Sequence, residues 1–250
     1  MSVAEAVIRE YPFVTSDVEY PESDGEPMGE TGIHVRATLG LYELLRRYFK
    51  NRKDIYVAAD MFLYYEEDNP KACKAPDVMV IKGVDNTYER RIFKMWEEDA
   101  GPCVIFEVTS KSTKNEDMVN KKQLYASLDV REYFLFDPLG EYLEDPFIGF
   151  RLVNKKYVPM PKNIDGRMFS RELKTFLFPD GEMLKIIDPE TGKPLPSPEE
   201  LGSMFDTALR KAEEADKKAE TERKKAEKAD KKAERLAAKL RALGIEPDEL

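Results

Sequence analysis

A lysine in the middle of an apolar helical face constrains this chain more than any other feature of its sequence. The segment 115–128 has helical periodicity, and apolar residues recur along its inner face: Met118, Leu124, Tyr125 and Leu128. At about 100° per residue, Lys121 projects onto the centre of that face, whereas Lys122 points about a quarter-turn away. A lysine is almost never buried without a partner, because desolvating its charge is costly. We therefore expect the fold to place an anionic group opposite Lys121.

Two carboxylates, Asp77 and Glu107, are the candidates for that group. Asp77 opens the apolar run 77–83, which predicts a buried strand, and Pro76 precedes it where no ladder hydrogen bond is lost. Glu107 lies within the β-branched run 102–110, which predicts a second buried strand. Because side chains alternate along a strand, Glu107 shares one face with the apolar residues two and four positions before it.

The residues alone leave two interpretations of this set open. Two carboxylates on neighbouring strands suit Mg²⁺, which takes one or two carboxylates and keeps several waters. A lysine on the next helix can orient or deprotonate an attacking water and balance charge near a phosphate. Alternatively, Lys121 and Glu107 form a structural ion pair that holds the helix to the sheet. The residue pattern favours neither interpretation over the other.

Three stretches of the sequence carry a resemblance to a known family: "APDVMVI" at 75–81, "VIFEVTSKST" at 104–113 and "EDMVNKKQLYASLDVREYFLFDP" at 116–138. They resemble the Uma-type restriction endonucleases, a domain-of-unknown-function family within the PD-(D/E)XK nuclease superfamily. The most specific parts are Glu-Val-x-Ser-x-Ser-Thr at 107–113, the spacing of Asp117, Lys121 and Tyr125, and Val130-x-Glu-Tyr followed by Asp137-Pro138. The resemblance covers residues 28–200.

The resemblance implies an α/β fold with a restriction-endonuclease-like core, in which a mixed central sheet is flanked by helices. It implies that Asp77 and Glu107 hold Mg²⁺ or Mn²⁺ together with the backbone carbonyl of Val108, and that Lys121 is the catalytic lysine. The protein is then a metal-dependent endonuclease whose substrate is DNA and whose reaction is phosphodiester hydrolysis.

The sequence departs from the superfamily signature at one position. The signature has a lysine two residues after the glutamate, where this chain has Thr109. The resemblance suggests that the lysine has moved to the helix, and the apolar face independently selects Lys121. Lys111 is the competing candidate, but its Ser/Thr/Lys surroundings are typical of a solvated loop.

Two further residues are weaker candidates for the site. His34 is the only histidine, and it falls near the apolar face at the start of the first predicted helix, from which it can point towards the carboxylates. A partly buried histidine with satisfied hydrogen bonds is the commoner case. Glu66 follows a predicted strand and can supply an additional metal ligand, although a solvated strand end is the commoner interpretation.

The charge balance does not favour nucleic-acid binding. The chain has 40 basic and 49 acidic residues; residues 201–250 hold 13 and 12 of these, which leaves a net charge of −10 on residues 1–200. Proteins that neutralise phosphates usually carry a basic stripe. The acidic body favours an alternative function, a non-catalytic module of the same fold that oligomerises or binds partners through its C-terminal helix.

Composition also predicts the compartment. Cys73 and Cys103 are too few for a disulfide framework, and we expect both to be reduced. No apolar run approaches the ~18 residues needed to span a bilayer, and no basic stretch precedes an apolar one at the N-terminus. We therefore expect a cytoplasmic protein with no membrane partner.

Four segments are predicted along the chain: a polar lead-in at 1–27, the α/β body at 28–200, a long helix at 201–243 and a short tail at 244–250. In the body, a helix at 33–50 precedes strands at 56–65, 78–82 and 104–109, the helix at 115–128 and a strand at 132–136. A hairpin turning at Asn154 and Lys155 follows, with two more strands at 173–178 and 183–187.

The predicted C-terminal helix carries a seven-residue repeat. "KKAE" recurs at 217, 224 and 231, and a heptad seam runs from Leu201 to Leu243 with Glu222 as its one charged member. Alanine fills the middle of the seam and buries little area, so a lone charged helix is nearly as well supported as a weak coiled coil. The repeat slightly favours a homo-oligomer formed through this helix.

Overall fold

The computed structural model describes residues 18–23, 30–110, 113–114 and 116–242. The chain forms two compact units, Met1–Leu195 and Pro196–Leu250. The first contains every strand found among the described residues, and the second contains one long helix. Most of the predicted lead-in at 1–27 and the whole of the predicted tail at 244–250 lie outside the described residues.

The helices of the described residues are α1 (Gly32–Tyr48), α2 (Met95–Glu98), a π-helix (Glu116–Lys121), α3 (Lys122–Ser127) and α4 (Pro198–Ala242). The strands are β1 (Ile55–Ala59), β2 (Leu63–Tyr64), β3 (Cys73–Lys74), β4 (Val78–Lys82), β5 (Phe93–Lys94), β6 (Pro102–Val108), β7 (Glu132–Phe136), β8 (Phe147–Val153), β9 (Lys156–Pro159), β10 (Met168–Ser170), β11 (Thr175–Asp180) and β12 (Met183–Ile186).

The central sheet is mixed and six-stranded, in the order β1-β4-β6-β7-β8-β9. β6 and β7 are parallel, and the other neighbouring strands are antiparallel. A parallel pair needs a crossover connection, which here contains the π-helix and α3. Two three-stranded sheets, β10-β11-β12 and β3-β2-β5, accompany it. This architecture confirms the predicted α/β fold with a mixed sheet flanked by helices.

An apolar layer covers each face of the central sheet. On one face, α1 and the sheet β10-β11-β12 contribute to a core that includes Leu41, Leu45, Phe106, Phe134 and Leu177. On the other face, α3 contributes to a second core that includes Met79, Ile105, Tyr125, Tyr133 and Leu135. Because side chains alternate along strands, Glu107 shares this second face with Ile105. The crossover that bears Lys121 covers the same face.

The segment that carries Lys121 differs from the predicted continuous α-helix at 115–128. Residues Glu116–Lys121 form a π-helix, and α3 begins only at Lys122. A π-helix has hydrogen bonds from residue i to i+5, so its turn is wider than that of an α-helix. Tyr133, fully buried in β7, donates a hydrogen bond from Oη to the backbone oxygen of Asp117 (3.1 Å) and anchors this turn to the sheet.

Several strand boundaries also differ from the prediction. The predicted strand 56–65 is divided into β1, which ends at Ala59, and β2, which begins at Leu63. Asp60 lies between them, and its left-handed φ of 46° interrupts the strand. The sequence prediction lacks β3, β5 and β10, which are only two or three residues long. The predicted hairpin turn is confirmed at Asn154 and Lys155, whose φ angles of 50° and 61° suit a two-residue hairpin.

α4 is the long charged helix that the sequence predicts. It has 45 residues, which corresponds to about 68 Å at 1.5 Å per residue. A capping box opens it, because the Glu200 N–H donates to Ser197 Oγ (3.1 Å) while the Ser197 N–H donates to Glu200 Oε2 (2.5 Å). Ion pairs one turn apart follow, such as Glu220 with Lys224 at 2.6 Å. No helix among the described residues is both long and apolar enough to cross a membrane.

Candidate active site

Asp77 and Glu107 lie side by side at one end of the central sheet. β4 and β6 are antiparallel with Val78 opposite Phe106, so the residue before β4 faces the next residue of β6. Asp77 Oδ2 accepts a hydrogen bond from the backbone N–H of Val108 at 2.6 Å. The strand register therefore brings the two predicted carboxylates together, and a backbone hydrogen bond fixes one of them.

Glu107 is buried, and two side chains of the crossover segment hold its carboxylate. Lys121 Nζ donates a hydrogen bond to Oε2 at 2.9 Å, and Tyr125 Oη donates one to Oε1 at 2.7 Å. The exposed fraction is 1% for the Glu107 side chain and 13% for that of Lys121, so water screens this ion pair weakly. The structure therefore contains the predicted contact between Lys121 and a buried carboxylate, whereas the catalytic role of both residues stays a prediction.

Asp117 brings a third carboxylate to the site from the π-helix. Its Oδ1 lies 2.9 Å from Lys121 Nζ, and 1% of its side chain is exposed. The Lys121 ammonium therefore lies between the carboxylates of Asp117 and Glu107. The sequence analysis does not select Asp117 as a site residue. Its position four residues before Lys121, on the same side of the helix, is the signal that points to it.

Burial and charge crowding shift the pKa values of these groups. Burial raises the pKa of Glu107; Lys121 opposes this shift, and the negative charges of Asp77 and Asp117 add to it. Burial alone would lower the pKa of Lys121, but Glu107 and Asp117 raise it above its ordinary value. Lys121 therefore stays protonated at neutral pH, which suits electrostatic stabilisation better than proton abstraction.

His34 lies beside Asp77, at the start of α1. Its Nε2 is 3.5 Å from Asp77 Oδ2, and its Nδ1 is 3.1 Å from Glu30 Oε2. Burial lowers the pKa of His34, but the hydrogen bond and charge of Asp77, followed by the charge of Glu30, raise it to about 9. With its pKa raised in this way, His34 acts as a counter-charge for Asp77.

Asp60, which the sequence analysis does not select, is a further acid next to Asp77. Its backbone N–H donates to the carbonyl oxygens of both Pro76, at 3.2 Å, and Asp77, at 3.3 Å. The Asp60 side chain keeps solvent contact, yet partial desolvation and the charge of Asp77 raise its pKa to about 6. Nothing in the sequence distinguishes this residue from an ordinary turn aspartate.

The other candidates from the sequence have different surroundings. Glu66 is exposed and accepts a hydrogen bond from Asn69 Nδ2 at 3.0 Å, as expected of a solvated strand end. Lys122 extends over Phe150, with Nζ 3.5 Å from the ring centroid. Lys111 lies outside the described residues.

The oxygen ligands at this end of the sheet suit a hard divalent cation. Among the described residues, no group of three or more His, Cys, Asp or Glu side chains is arranged to hold a metal ion. Mg²⁺ does not need such a group, because it takes one or two carboxylates and keeps several waters. Asp77 and Glu107 supply these carboxylates. Burial is the main cause of the raised pKa of Glu107, and the negative charges of Asp77 and Asp117, which add to it, are ones that a cation would offset. The residues therefore fit Mg²⁺ or Mn²⁺.

The mixed α/β core carries two carboxylates and a lysine at one end of its sheet, which is the arrangement that the resemblance to restriction endonucleases implies. The family model described as "Uma2: Putative restriction endonuclease" matches residues 8–175, which is more than half of the chain. The chain belongs to this family, as the sequence resemblance predicts.

One solved structure that is similar to part of this chain is described as "a putative nuclease belonging to DUF820" from Anabaena variabilis ATCC 29413. The two chains are 11% identical, the match covers 58% of this chain and 75% of that chain, and the TM-score is 0.44. The comparison with curated proteins gave no match.

Replacing Tyr125 with phenylalanine tests how Glu107 is held. The Tyr125→Phe variant leaves Glu107 Oε1 buried without its donor, and losing a hydrogen bond to a charged group costs about 2 kcal/mol. We expect chemical denaturation to report a loss of unfolding free energy of about that size.

Tyr133→Phe is the matched control for this prediction. Tyr133 is equally buried, but its hydroxyl donates to a neutral backbone oxygen, so its loss costs about 1 kcal/mol. Equal losses in the two variants, or no loss in Tyr125→Phe, would contradict the assignment of Tyr125 as a support for the Glu107 carboxylate.

Proposed function

We propose that this protein is a metal-dependent endonuclease that hydrolyses phosphodiester bonds of DNA, with Asp77, Glu107 and Lys121 as its catalytic residues. The observation that carries the proposal is the buried hydrogen bond between Lys121 Nζ and Glu107 Oε2, at 2.9 Å, beside Asp77. A buried ion pair is weak evidence for a stabilising role, because apolar side chains of similar volume in its place often stabilise a fold equally or better. Membership of a restriction endonuclease family supports a nuclease-like function.

In this proposal, the carboxylates of Asp77 and Glu107 and the backbone carbonyl of Val108 hold Mg²⁺ or Mn²⁺. When bound, such a cation supplies Lewis-acid stabilisation of a phosphoryl group and makes a water more acidic. Both carboxylates are oriented before any ligand arrives, since Val108 N–H fixes Asp77 and the Tyr125 hydroxyl fixes Glu107. Pre-oriented ligands lower the entropy cost of assembling the site.

Lys121 stabilises the negative charge that develops on the phosphate. Glu107 and Asp117 keep its ammonium protonated, and burial of the side chain makes each of its hydrogen bonds electrostatically stronger than in water. An ammonium has three donors, so Lys121 can retain a carboxylate partner while it donates to an oxygen of the scissile phosphate. The role of Lys121 is therefore that of an electrostatic clamp and not of a general base.

Cleavage of plasmid DNA in Mg²⁺ or Mn²⁺ tests this function. Lys121→Met removes the clamp and should lower the cleavage rate by about 100-fold or more, the usual cost of losing one such donor. Lys122→Met is the matched control, because Lys122 is adjacent and lies over Phe150 instead. Its cleavage rate should stay close to that of the parent.

Two results would contradict the proposal. One is an equal loss of cleavage rate in the Lys121 and Lys122 variants. The other is a lack of cleavage by the parent protein with either cation on single-stranded, double-stranded and supercoiled DNA.

A second function, a module that self-associates through α4, is favoured by the apolar residues that this helix exposes. Large apolar side chains are exposed near its start: Leu201, Met204, Phe205 and Leu209. Leu201 and Phe205 fall on the heptad seam, and the charged residues around the repeat are balanced in sign. Exposed apolar side chains at seam positions are typical of a helix that pairs with another. This function is compatible with catalysis by the first unit.

The substitution Phe205→Glu in the full-length protein tests self-association. A charge on the seam should shift the molar mass, measured by light scattering during size exclusion, from that of an oligomer towards that of a monomer. Thr207→Glu adds the same charge two residues along the helix, at a position that faces away from the seam, and should leave the mass unchanged. A monomeric parent, or an equal mass for the parent and Phe205→Glu, would contradict self-association through α4.

A further inference from the structure

Buried carboxylates in this fold normally have their oxygens fully hydrogen-bonded. Glu132 is 1% exposed and accepts hydrogen bonds from the Arg151 guanidinium, the Ser170 hydroxyl and the backbone N–H of Arg171. Asp137 is also 1% exposed and accepts four hydrogen bonds from backbone N–H groups between 139 and 143. Such bonds offset the cost of desolvating a carboxylate.

Asp117 is the exception among the buried carboxylates described. It is 1% exposed as well, yet neither of its oxygens has a hydrogen-bond partner among the described residues. Oδ1 lies 2.9 Å from Lys121 Nζ and forms an ion pair with it. A buried acceptor that is left unsatisfied costs about 1–3 kcal/mol, so its presence calls for a functional explanation.

The local fold keeps Asp117 in this position. Its backbone N–H donates to the carbonyl oxygen of Thr113 at 2.9 Å, and its own carbonyl oxygen accepts from Tyr133 Oη at 3.1 Å. Both contacts lie at the start of the π-helix, a feature that often marks functional sites. The backbone is therefore held on both sides while the side chain keeps free acceptor capacity towards Lys121.

Asp117 is not placed as a third ligand for a cation at Asp77 and Glu107. The described residues contain no group of three His, Cys, Asp or Glu side chains arranged to hold a metal ion. What Asp117 does contact is the Lys121 ammonium, which also contacts Glu107. Its effect on the site must therefore act through Lys121.

We propose that Asp117 is a positioning residue that retains the Lys121 ammonium when a divalent cation binds Glu107. The inference rests on the cation site of the proposed function. A cation at Glu107 repels the ammonium, and the repulsion is large where solvent is excluded. Asp117 offers the ammonium a second carboxylate with free acceptor positions, so Lys121 can turn from Glu107 to Asp117 without leaving the site.

The affinity of full-length protein for Mn²⁺, measured by calorimetry, tests this role. Asp117→Asn leaves Lys121 with Glu107 as its remaining carboxylate partner in the site, so the ammonium then competes with the cation. We expect the Kd for Mn²⁺ to rise about tenfold, as is usual when a group behind a ligand is lost. In a Lys121→Met background the same substitution should leave the Kd almost unchanged, because no ammonium remains to be held.

Glu116→Gln is the matched control for the loss of one negative charge. Glu116 is the neighbouring residue, but it pairs with Lys74 at 2.7 Å and is 42% exposed. The Kd of the Glu116→Gln variant for Mn²⁺ should stay close to that of the parent, while the Kd of Asp117→Asn rises. If Asp117→Asn does not fold, Asp117→Ser is measured in the same way, since it also removes the charge and is smaller.

Three outcomes would overturn the inference in distinguishable ways. An equal rise of the Kd in the parent and Lys121→Met backgrounds would make Asp117 a direct partner of the cation. An unchanged Kd in Asp117→Asn with a changed melting temperature would make Asp117 purely structural. A parent that binds no Mn²⁺ would overturn the cation site itself, and this inference with it.

Discussion

Glu107 is a buried carboxylate near the end of β6, and the ion pair that it forms with Lys121 is the contact on which the rest of the structure depends. At 1% exposure, Glu107 needs a cationic partner from another element to remain ionised. The parallel pairing of β6 with β7 requires a crossover between them, and that crossover carries Lys121 across the face on which Glu107 lies. Sheet topology and charge pairing therefore specify the same arrangement.

The site holds more acidic than basic side chains. Three carboxylates, those of Asp77, Glu107 and Asp117, face two cationic groups, Lys121 and the protonated His34. The pKa of Glu107 rises through burial and through the two neighbouring acids, although Lys121 opposes the rise. A fold selected for stability alone would gain by replacing such groups with apolar side chains. The excess of acidic side chains is what the proposed cation site would offset.

Much of this arrangement follows from the sequence. Lys121 on an apolar face predicts a buried anionic partner, and Glu107 in an apolar strand predicts a buried carboxylate; the hydrogen bond at 2.9 Å joins the two. The long charged helix also follows, since its seven-residue repeat is a local signal. Periodicity within one segment is enough to identify features of this kind.

The features that the sequence does not predict depend on contacts between distant segments. The π-helix replaces the expected α-helix where Tyr133, from a strand that follows it, bonds to the Asp117 backbone. Asp60 reaches the site because β1 ends beside Asp77, which depends on the pairing of β1 with β4. The apolar periodicity of a helix does not distinguish α-helical from π-helical hydrogen bonding. The sequence around a turn aspartate does not show which residues lie beside it across a sheet.

Crystals soaked with Mn²⁺ and measured for the anomalous signal of manganese give the most direct test of the central claim, that the buried Glu107 and Asp77 form a cation site. We predict one principal peak within coordination distance of both carboxylates. The account would be contradicted by a peak elsewhere, such as between Asp60 and Glu30, or by a soak at saturating Mn²⁺ that leaves no peak beside Glu107.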